Sequence, residues 1–142
     1  MRHFDLPPNA RRFAARQHGV ISGSQLLEAG LTRRQIRIRL EHGALVAVFG
    51  DTFRVGGAAR TTEAVLLSAV LSVPDGTVSH AAAGWVLEIP RRFVSRSPVV
   101  TVERERRHTI AGITIHRSRD LLDRHRTVVR GLPVTTIPRT VI

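Results

Sequence analysis

The chain has 142 residues, enough for one full hydrophobic core or two small ones, and its 42% hydrophobic content is typical of a folded protein. Its formal net charge is +11 and all 22 of its cationic residues are arginines, so a polyanion such as nucleic acid is the expected partner. The absence of lysine, cysteine and tyrosine excludes a Walker-type or Schiff-base lysine, a thiol nucleophile, a cysteine-ligated zinc cluster and a tyrosine recombinase.

The first predicted element is a helix at about residues 9–18, which Pro7-Pro8 introduces and Gly19 ends. Its inner face is expected to carry Ala10, Phe13 and Ala14. Val20 and Ile21 are expected to form a short apolar link to the next helix.

Two short capped helices joined by a tight turn are predicted next. Ser22 with Gln25, and Thr32 with Gln35, each have the capping-box spacing, in which the third helical side chain returns a hydrogen bond to the cap. Gly30 permits the left-handed conformation that ends the first of these helices, and Gly43 ends the second. The pattern indicates a helix-turn-helix whose second helix is rich in arginine, as DNA binding requires.

A β-hairpin is predicted after these helices. An apolar run at 45–49 and the segment 52–55 (TFRV) flank a Gly50-Asp51 turn. Three helices followed by a hairpin are typical of a winged helix-turn-helix, and the run 56–59 is expected to be a linker. We therefore predict an α+β chain with a winged helix-turn-helix domain at 1–57 and a small mixed α/β domain at 58–142.

The second half is predicted to contain two helices and a few strands. The helices are expected at 62–71 and at about 80–87, the latter capped by Ser79, and the strands at 99–102, 110–115 and 128–129. Residues 137–142 have the pattern of a helix that has only begun. This predicts that the second domain is incomplete at its C-terminal end.

The arginine-rich helix predicts the DNA-binding residues. With about 100° between successive residues, Ile36 and Leu40 share an inward face, whereas Arg34, Arg37, Ile38 and Glu41 lie opposite, with Arg33 at the border. Recognition helices contact bases mainly through their N-terminal residues, and Arg39 is expected to be structural or to contact phosphate. The complete predicted DNA-binding set is Thr32, Arg33, Arg34, Gln35, Arg37, Arg39 and Arg54.

An ordinary solvated helix is the alternative for this segment. Arg37 and Glu41 would then form an i,i+4 ion pair worth only a few tenths of a kcal/mol. An arginine-rich exposed face alone is a weak indication of DNA binding. The two caps, the glycine turn and the following hairpin favour DNA binding over this alternative.

The segment 13–36 (FAARQHGVISGSQLLEAGLTRRQI) resembles the start of the AbiEi-family antitoxins of type IV toxin–antitoxin, or abortive infection, systems. Three later segments are similar to long actinobacterial members of that family: Val78–Trp85, Ile115–Arg119, and Gly131–Thr136 with Pro138-Arg139-Thr140. The resemblance covers nearly the whole chain, and its motifs are moderately specific because no catalytic signature accompanies them.

This resemblance implies a winged helix that binds promoter DNA and represses its own operon. It also implies a following domain that opposes a partner toxin, a nucleotidyltransferase in the best-known systems. The DNA-reading role would fall on Arg33, Arg34 and Arg37. The hairpin departs from the family pattern, because Arg54 is its only basic residue and Asp51 would face phosphate unfavourably.

Other chemistry-bearing residues favour simpler roles. No metal site is expected at His80, His108, His116 and His125, because histidines of this kind are more often surface or capping groups. Ser79 and His80 are expected to point apart, with Ser79 as a helix cap rather than a nucleophile. The run 103–108 (ERERRH) and the Arg117/Arg119 pair indicate either a phosphate-contacting surface or a solvated turn with ion pairs. We therefore predict no catalytic residue, no cofactor and no enzyme activity.

The sequence thus predicts a DNA-binding, antitoxin-like transcriptional repressor whose partners are double-stranded promoter DNA and a cognate nucleotidyltransferase toxin. One alternative is the catalytically inactive DNA-targeting part of an endonuclease resembling very-short-patch-repair enzymes, and a second is a protein-binding module whose basic surface meets an acidic toxin. The N-terminus lacks the apolar core of a signal peptide, and the longest apolar stretch, 64–73, is too short to cross a bilayer. A soluble cytoplasmic protein without membrane partners is therefore expected.

Overall fold

The computed structural model describes residues 5–89, 96–103, 110–120 and 123–141. The described helices are α1 (Pro8–Ala15), α2 (Gly23–Glu28), α3 (Arg33–Glu41), α4 (Thr62–Ser72), α5 (His80–Val86) and α6 (Ile137–Val141), with a single 3₁₀ turn at Asp123–His125. The strands are β1 (Val20–Ser22), β2 (Leu45–Ala47), β3 (Thr52–Val55), β4 (Thr77–Val78), β5 (Val99–Glu103), β6 (Thr114–Ser118), β7 (Arg126–Val129) and β8 (Leu132–Thr135). The predicted α+β class is confirmed.

The first half builds a three-stranded antiparallel sheet against α1, α2 and α3. The strand order is β1-β3-β2, with Ile21 opposite Phe53 and Val46 opposite Arg54. The core beneath this sheet is Leu6, Ala10, Ala14, Ile21, Leu26, Leu31, Ile36, Leu45 and Phe53. The prediction of an apolar link at Val20 and Ile21 was wrong, because these residues form the strand β1, whose partner β3 lies some thirty residues further along the chain.

Both predicted capping boxes are present. The Ser22 hydroxyl accepts from the Gln25 amide at 3.2 Å, and the Gln25 side chain accepts from the Ser22 amide at 3.0 Å. The corresponding distances for Thr32 and Gln35 are 3.1 and 2.8 Å. These reciprocal bonds satisfy backbone donors that a helix start leaves without partners, which explains why α2 and α3 begin where they do.

The first helix is shorter than predicted. It ends at Ala15, and the chain then reverses through His18 and Gly19, both of which have a positive φ. Ala10 and Ala14 are fully buried as expected, but Phe13 is 45% exposed and does not belong to the inner face. The predicted hairpin is confirmed, with its paired residues at Leu45–Ala47 and Thr52–Val55.

Helix α4 lies against both sheets. It contacts β1 and β3 of the first sheet and β4, β5 and β8 of the second. Its buried residues therefore surround most of the helix instead of forming one stripe; they are Ala64, Leu66, Leu67, Ser68 and Ala69. Val20 of β1 packs in the same cluster as Val78 and Val134 of the second sheet, so the two halves share apolar contacts.

The second sheet has the strand order β6-β5-β4-β8-β7. β5 pairs with β6 and β4 pairs with β8 in parallel, whereas β4–β5 and β7–β8 are antiparallel. The strands β4 and β8 were not predicted, because β4 has only two residues and β8 contains Pro133. The predicted basic turn at 104–108 lies outside the described residues. Within the described ranges, every helix is too short or too polar to span a bilayer.

Candidate functional site

The outer face of α3 carries three exposed arginines, Arg33, Arg34 and Arg37. On the inner face Ile36 is buried and Leu40 packs against the core of the first half, as predicted. Since the inner face is fixed by packing, the arginines are held on the side that faces solvent. The helix thus presents a rigid, cationic surface.

The ion pair between Arg37 and Glu41, which the alternative of a solvated helix implied, does not form in the described part of the chain. Neither Arg37 nor Glu41 takes part in a salt bridge with a described residue. The guanidinium of Arg37 is therefore not neutralised by the carboxylate one turn away. This leaves its donors accessible to a ligand.

Three residues of the predicted DNA-binding set have structural roles. The side chains of Thr32 and Gln35 bond to each other's backbone amides in the capping box. Arg39 is 8% exposed, and it donates from Nε to the carbonyl of Asp5 at 3.1 Å and from Nη1 to that of Gln35 at 3.0 Å. Because Arg39 holds the segment before α1 against α3, it is not available for phosphate contact.

The hairpin offers little positive charge, as its sequence indicated. Arg54 is half-buried and donates from Nη1 to the carbonyl of Ala58 at 2.7 Å, which ties β3 to the segment before α4. The carbonyl of Asp51 accepts from the amide of Gly23 at 2.8 Å, so the hairpin turn rests on the start of α2. The hairpin therefore presents no free cationic side chain among these residues, since Arg54 is used internally and Asp51 is acidic.

A polar pocket lies in the second half, where the start of α5, β6 and α6 meet. Its volume is about 460 Å³. It is lined by two arginines, three histidines and five hydroxyl-bearing residues, namely Arg117, Arg139, His80, His116, His125, Ser79, Ser118, Thr101, Thr135 and Thr140. The sequence did not predict this pocket.

Ser79 and His80 do not behave as predicted. The side chain of Ser79 makes no capping bond to α5, and its Oγ lies 2.9 Å from Nδ1 of His80 while accepting from Thr101 Oγ1 at 2.7 Å. His80 has a φ of +54°, a left-handed conformation that turns its ring back toward Ser79. The expectation that adjacent side chains diverge assumed a helical φ at His80.

The imidazoles of His80 and His116 stack with their centroids 4.1 Å apart. Partial burial of the His80 ring, together with the nearby positive charges of His116 and Arg139, lowers the pKa of His80. Burial and the nearby positive charges thus favour the neutral form of His80.

One wall of the pocket is held by an ion pair between α6 and the end of β6. Arg139 donates from both Nη atoms to Asp120, at 2.8 and 3.2 Å, and also from Nη2 to Ser118 Oγ at 2.9 Å. Hydrogen bonds from Arg139 and Ser118 and the charge of Arg139 lower the pKa of Asp120. The guanidinium of Arg139 is thereby oriented at the pocket wall.

Among the described residues, no group of three histidine or carboxylate side chains is arranged to hold a metal ion. Comparison of the chain with protein-family models and with curated proteins gives no match.

The pocket residues were missed because they come from distant parts of the chain. His80 and His116 lie on different elements, and no motif in the sequence links the two positions. The useful signal was the cluster of polar residues around Ser79 in an otherwise apolar segment. Only the pairing of β5 with β6 brings His116 opposite Thr101 and close to His80.

Proposed function

We propose that this protein is a sequence-specific DNA-binding repressor of the antitoxin type, in which residues 5–57 act as a winged helix-turn-helix. The observation that carries the proposal is the exposed face of α3, where Arg33, Arg34 and Arg37 project away from a packed inner face. Arginine supplies a planar set of donors that fits both phosphate and the major-groove edge of guanine.

The order of elements in the first half supports this proposal. It is helix, strand, two helices and a hairpin, with β1 completing the sheet beside β3. In a winged helix-turn-helix of this order the last helix before the hairpin is the one that enters the major groove. That helix is α3, the one whose outer face is cationic.

Net charge and the resemblance to AbiEi-family antitoxins give further support. A charge of +11 favours binding to a polyanion through release of counterions. The family resemblance adds the expectations of autoregulation and of a nucleotidyltransferase toxin as partner for the second half. Under this proposal the protein has no enzyme activity.

The structure narrows the proposed contact set. Arg33, Arg34 and Arg37 are assigned to DNA, whereas Thr32 and Gln35 stabilise the start of α3 through their side chains. Arg39 and Arg54 are assigned to internal hydrogen bonds. Contacts from the hairpin are therefore expected to be few.

The test is a fluorescence-anisotropy titration of the chain against its own upstream DNA and against a scrambled duplex, at two salt concentrations. The variant Arg34→Ala/Arg37→Ala should lose most of its preference for the upstream DNA, because each base-reading arginine contributes ~1–3 kcal/mol of discrimination. The matched control, Arg60→Ala/Arg124→Ala, removes the same charge from exposed positions on other elements. It should lower affinity for both duplexes alike.

A preference for the upstream DNA that persists at the higher salt concentration supports a sequence-reading repressor. Equal affinities for the two duplexes at both salt concentrations would contradict sequence-specific binding. Equal losses in the Arg34/Arg37 variant and in the control would contradict the assignment of α3 as the recognition helix.

A further inference from the structure

The pocket in the second half has the chemistry of an anion site. Its lining contains two guanidinium and three imidazole groups and no carboxylate, and Asp120, which pairs with Arg139, lies outside the lining. The volume of about 460 Å³ falls in the range of small-molecule sites, roughly 300–1,000 Å³. Both the charge and the size of the pocket therefore suit a small anionic ligand.

Several donors of the pocket have no protein partner within the described residues. His80 uses Nδ1 toward Ser79, which leaves Nε2 without a hydrogen bond. The ring of His116 stacks on His80 and forms no hydrogen bond with a described residue. By contrast, the hydroxyls of Ser79 and Thr101 bond to each other, and so do those of Thr135 and Thr140.

A buried donor without a partner lies beside the pocket. The Nε atom of Arg126 is buried and has no hydrogen-bond partner among the described residues. Arg126 is directly opposite Thr135 in the antiparallel pair β7–β8, and such cross-strand neighbours lie on the same face of a sheet. Arg126 is thus on the side of Thr135, which lines the pocket.

We propose that this pocket binds a phosphate dianion, either free or as the monoester end of a small organic molecule. The positive charges of Arg117 and Arg139 attract a dianion, and the imidazoles of His80 and His116 add donors on one side. The site is separate from α3, so the proposal does not depend on DNA binding.

The test is isothermal titration calorimetry of the full chain with adenosine 5′-monophosphate, inorganic phosphate and adenosine. The variants His116→Gln and Arg117→Gln should each weaken binding of the monophosphate by about tenfold or more, because each removes a charged hydrogen bond. The control variant Arg60→Gln changes an exposed arginine in the first half and should leave binding unchanged. A cooperative thermal unfolding transition in each variant, as in the native chain, shows that the variants are folded.

Binding of phosphate and the monophosphate but not of adenosine supports the proposal. Tighter binding of the monophosphate identifies a phosphorylated organic molecule as the ligand, and equal affinities identify free phosphate. No binding of either anion would overturn the proposal, as would unchanged binding in both pocket variants. Displacement of the monophosphate by duplex DNA would also overturn it, because the pocket would then belong to a nucleic-acid surface.

Discussion

The Oγ1 atom of Thr52, at the start of β3, lies 3.1 Å from the Oγ atom of Ser72, in the last turn of α4. Both hydroxyls also bond to the carbonyl of Phe49, at 2.5 and 2.9 Å. Thr52 is fully buried. A partly buried polar contact therefore connects the hairpin to the helix that supports the second sheet.

Replacement of Thr52 by valine should destabilise both halves together. Thr52→Val keeps the shape of the side chain but removes a buried hydroxyl, which should lower the free energy of unfolding by about 1–2 kcal/mol. Urea unfolding can be followed by the fluorescence of Trp85, in the second half, and by circular dichroism. Both transitions should shift equally, whereas Thr127→Val, at an exposed position, should shift neither. A shift in only one signal would show that the halves unfold independently.

The same substitution should lower stability at Arg39 and DNA binding at Arg37. Arg39→Met removes charged hydrogen bonds to two backbone carbonyls and should cost about 1.5–3 kcal/mol of stability. Arg37→Met changes an exposed residue and should stay within about 0.5 kcal/mol while weakening DNA binding. Thermal unfolding and anisotropy titrations of both variants check this. A stable Arg39→Met protein would refute the structural role of Arg39.

The two capping boxes should contribute measurably to the stability of the first half. Ser22→Ala and Thr32→Ala each remove a cap that accepts a backbone amide, at a cost of about 0.5–2 kcal/mol. Ser24→Ala, at an exposed position one residue into α2, serves as the control and should be nearly neutral. Denaturant unfolding measures all three. Equal stability of Ser22→Ala and Ser24→Ala would argue against the cap.

The contribution of His80 to the free energy of unfolding should decrease as the pH falls. His116 and Arg139 are the charged groups that act on the ring of His80, and Arg117, His125 and Asp120 also lie around the pocket. The pKa of His80 lies below the ordinary histidine value of about 6.5. The His80 imidazole binds a proton more readily in the unfolded chain than in the folded one. The contribution of neutral His80 to the free energy of unfolding is therefore fully present above a pH of about 6.5. It is lost as the pH falls through the lowered pKa.

The comparison is with His80→Asn, because asparagine tolerates the left-handed φ of this position. The difference in unfolding free energy between the native chain and this variant should be largest at neutral pH and should shrink in acid. An NMR titration of the His80 ring gives its pKa directly. A value at or above that of an exposed histidine would contradict the desolvated, stacked environment.

Local signals allowed the first half to be predicted closely. The caps at Ser22 and Thr32 and the inward face of Ile36 depend on residues within one or two helical turns, and all three were found as expected. The strand β1 was missed because three apolar residues do not distinguish a strand from a link. Only its pairing with β3 determines its conformation.

The pocket could not be predicted for a related reason. Its residues are brought together by parallel pairing of β5 with β6 and of β4 with β8, which joins segments far apart in the chain. The positive φ of His80 was a second reason that the pocket was not predicted, because no local sequence pattern indicates a left-handed conformation at a histidine. Burial of Arg39 was anticipated only in part, since the helical wheel gives its direction but not its bond to Asp5.

The outermost of the described strands in the five-stranded sheet, β6 and β7, each carry arginine: Arg117 on one edge and Arg126 on the other. An edge strand exposes backbone groups that can pair with a strand of another molecule, and charged side chains oppose such pairing. Val128, 67% exposed on β7, would otherwise favour it. Part of the excess positive charge thus lies at the two edges of this sheet, where it opposes pairing with a strand of another molecule.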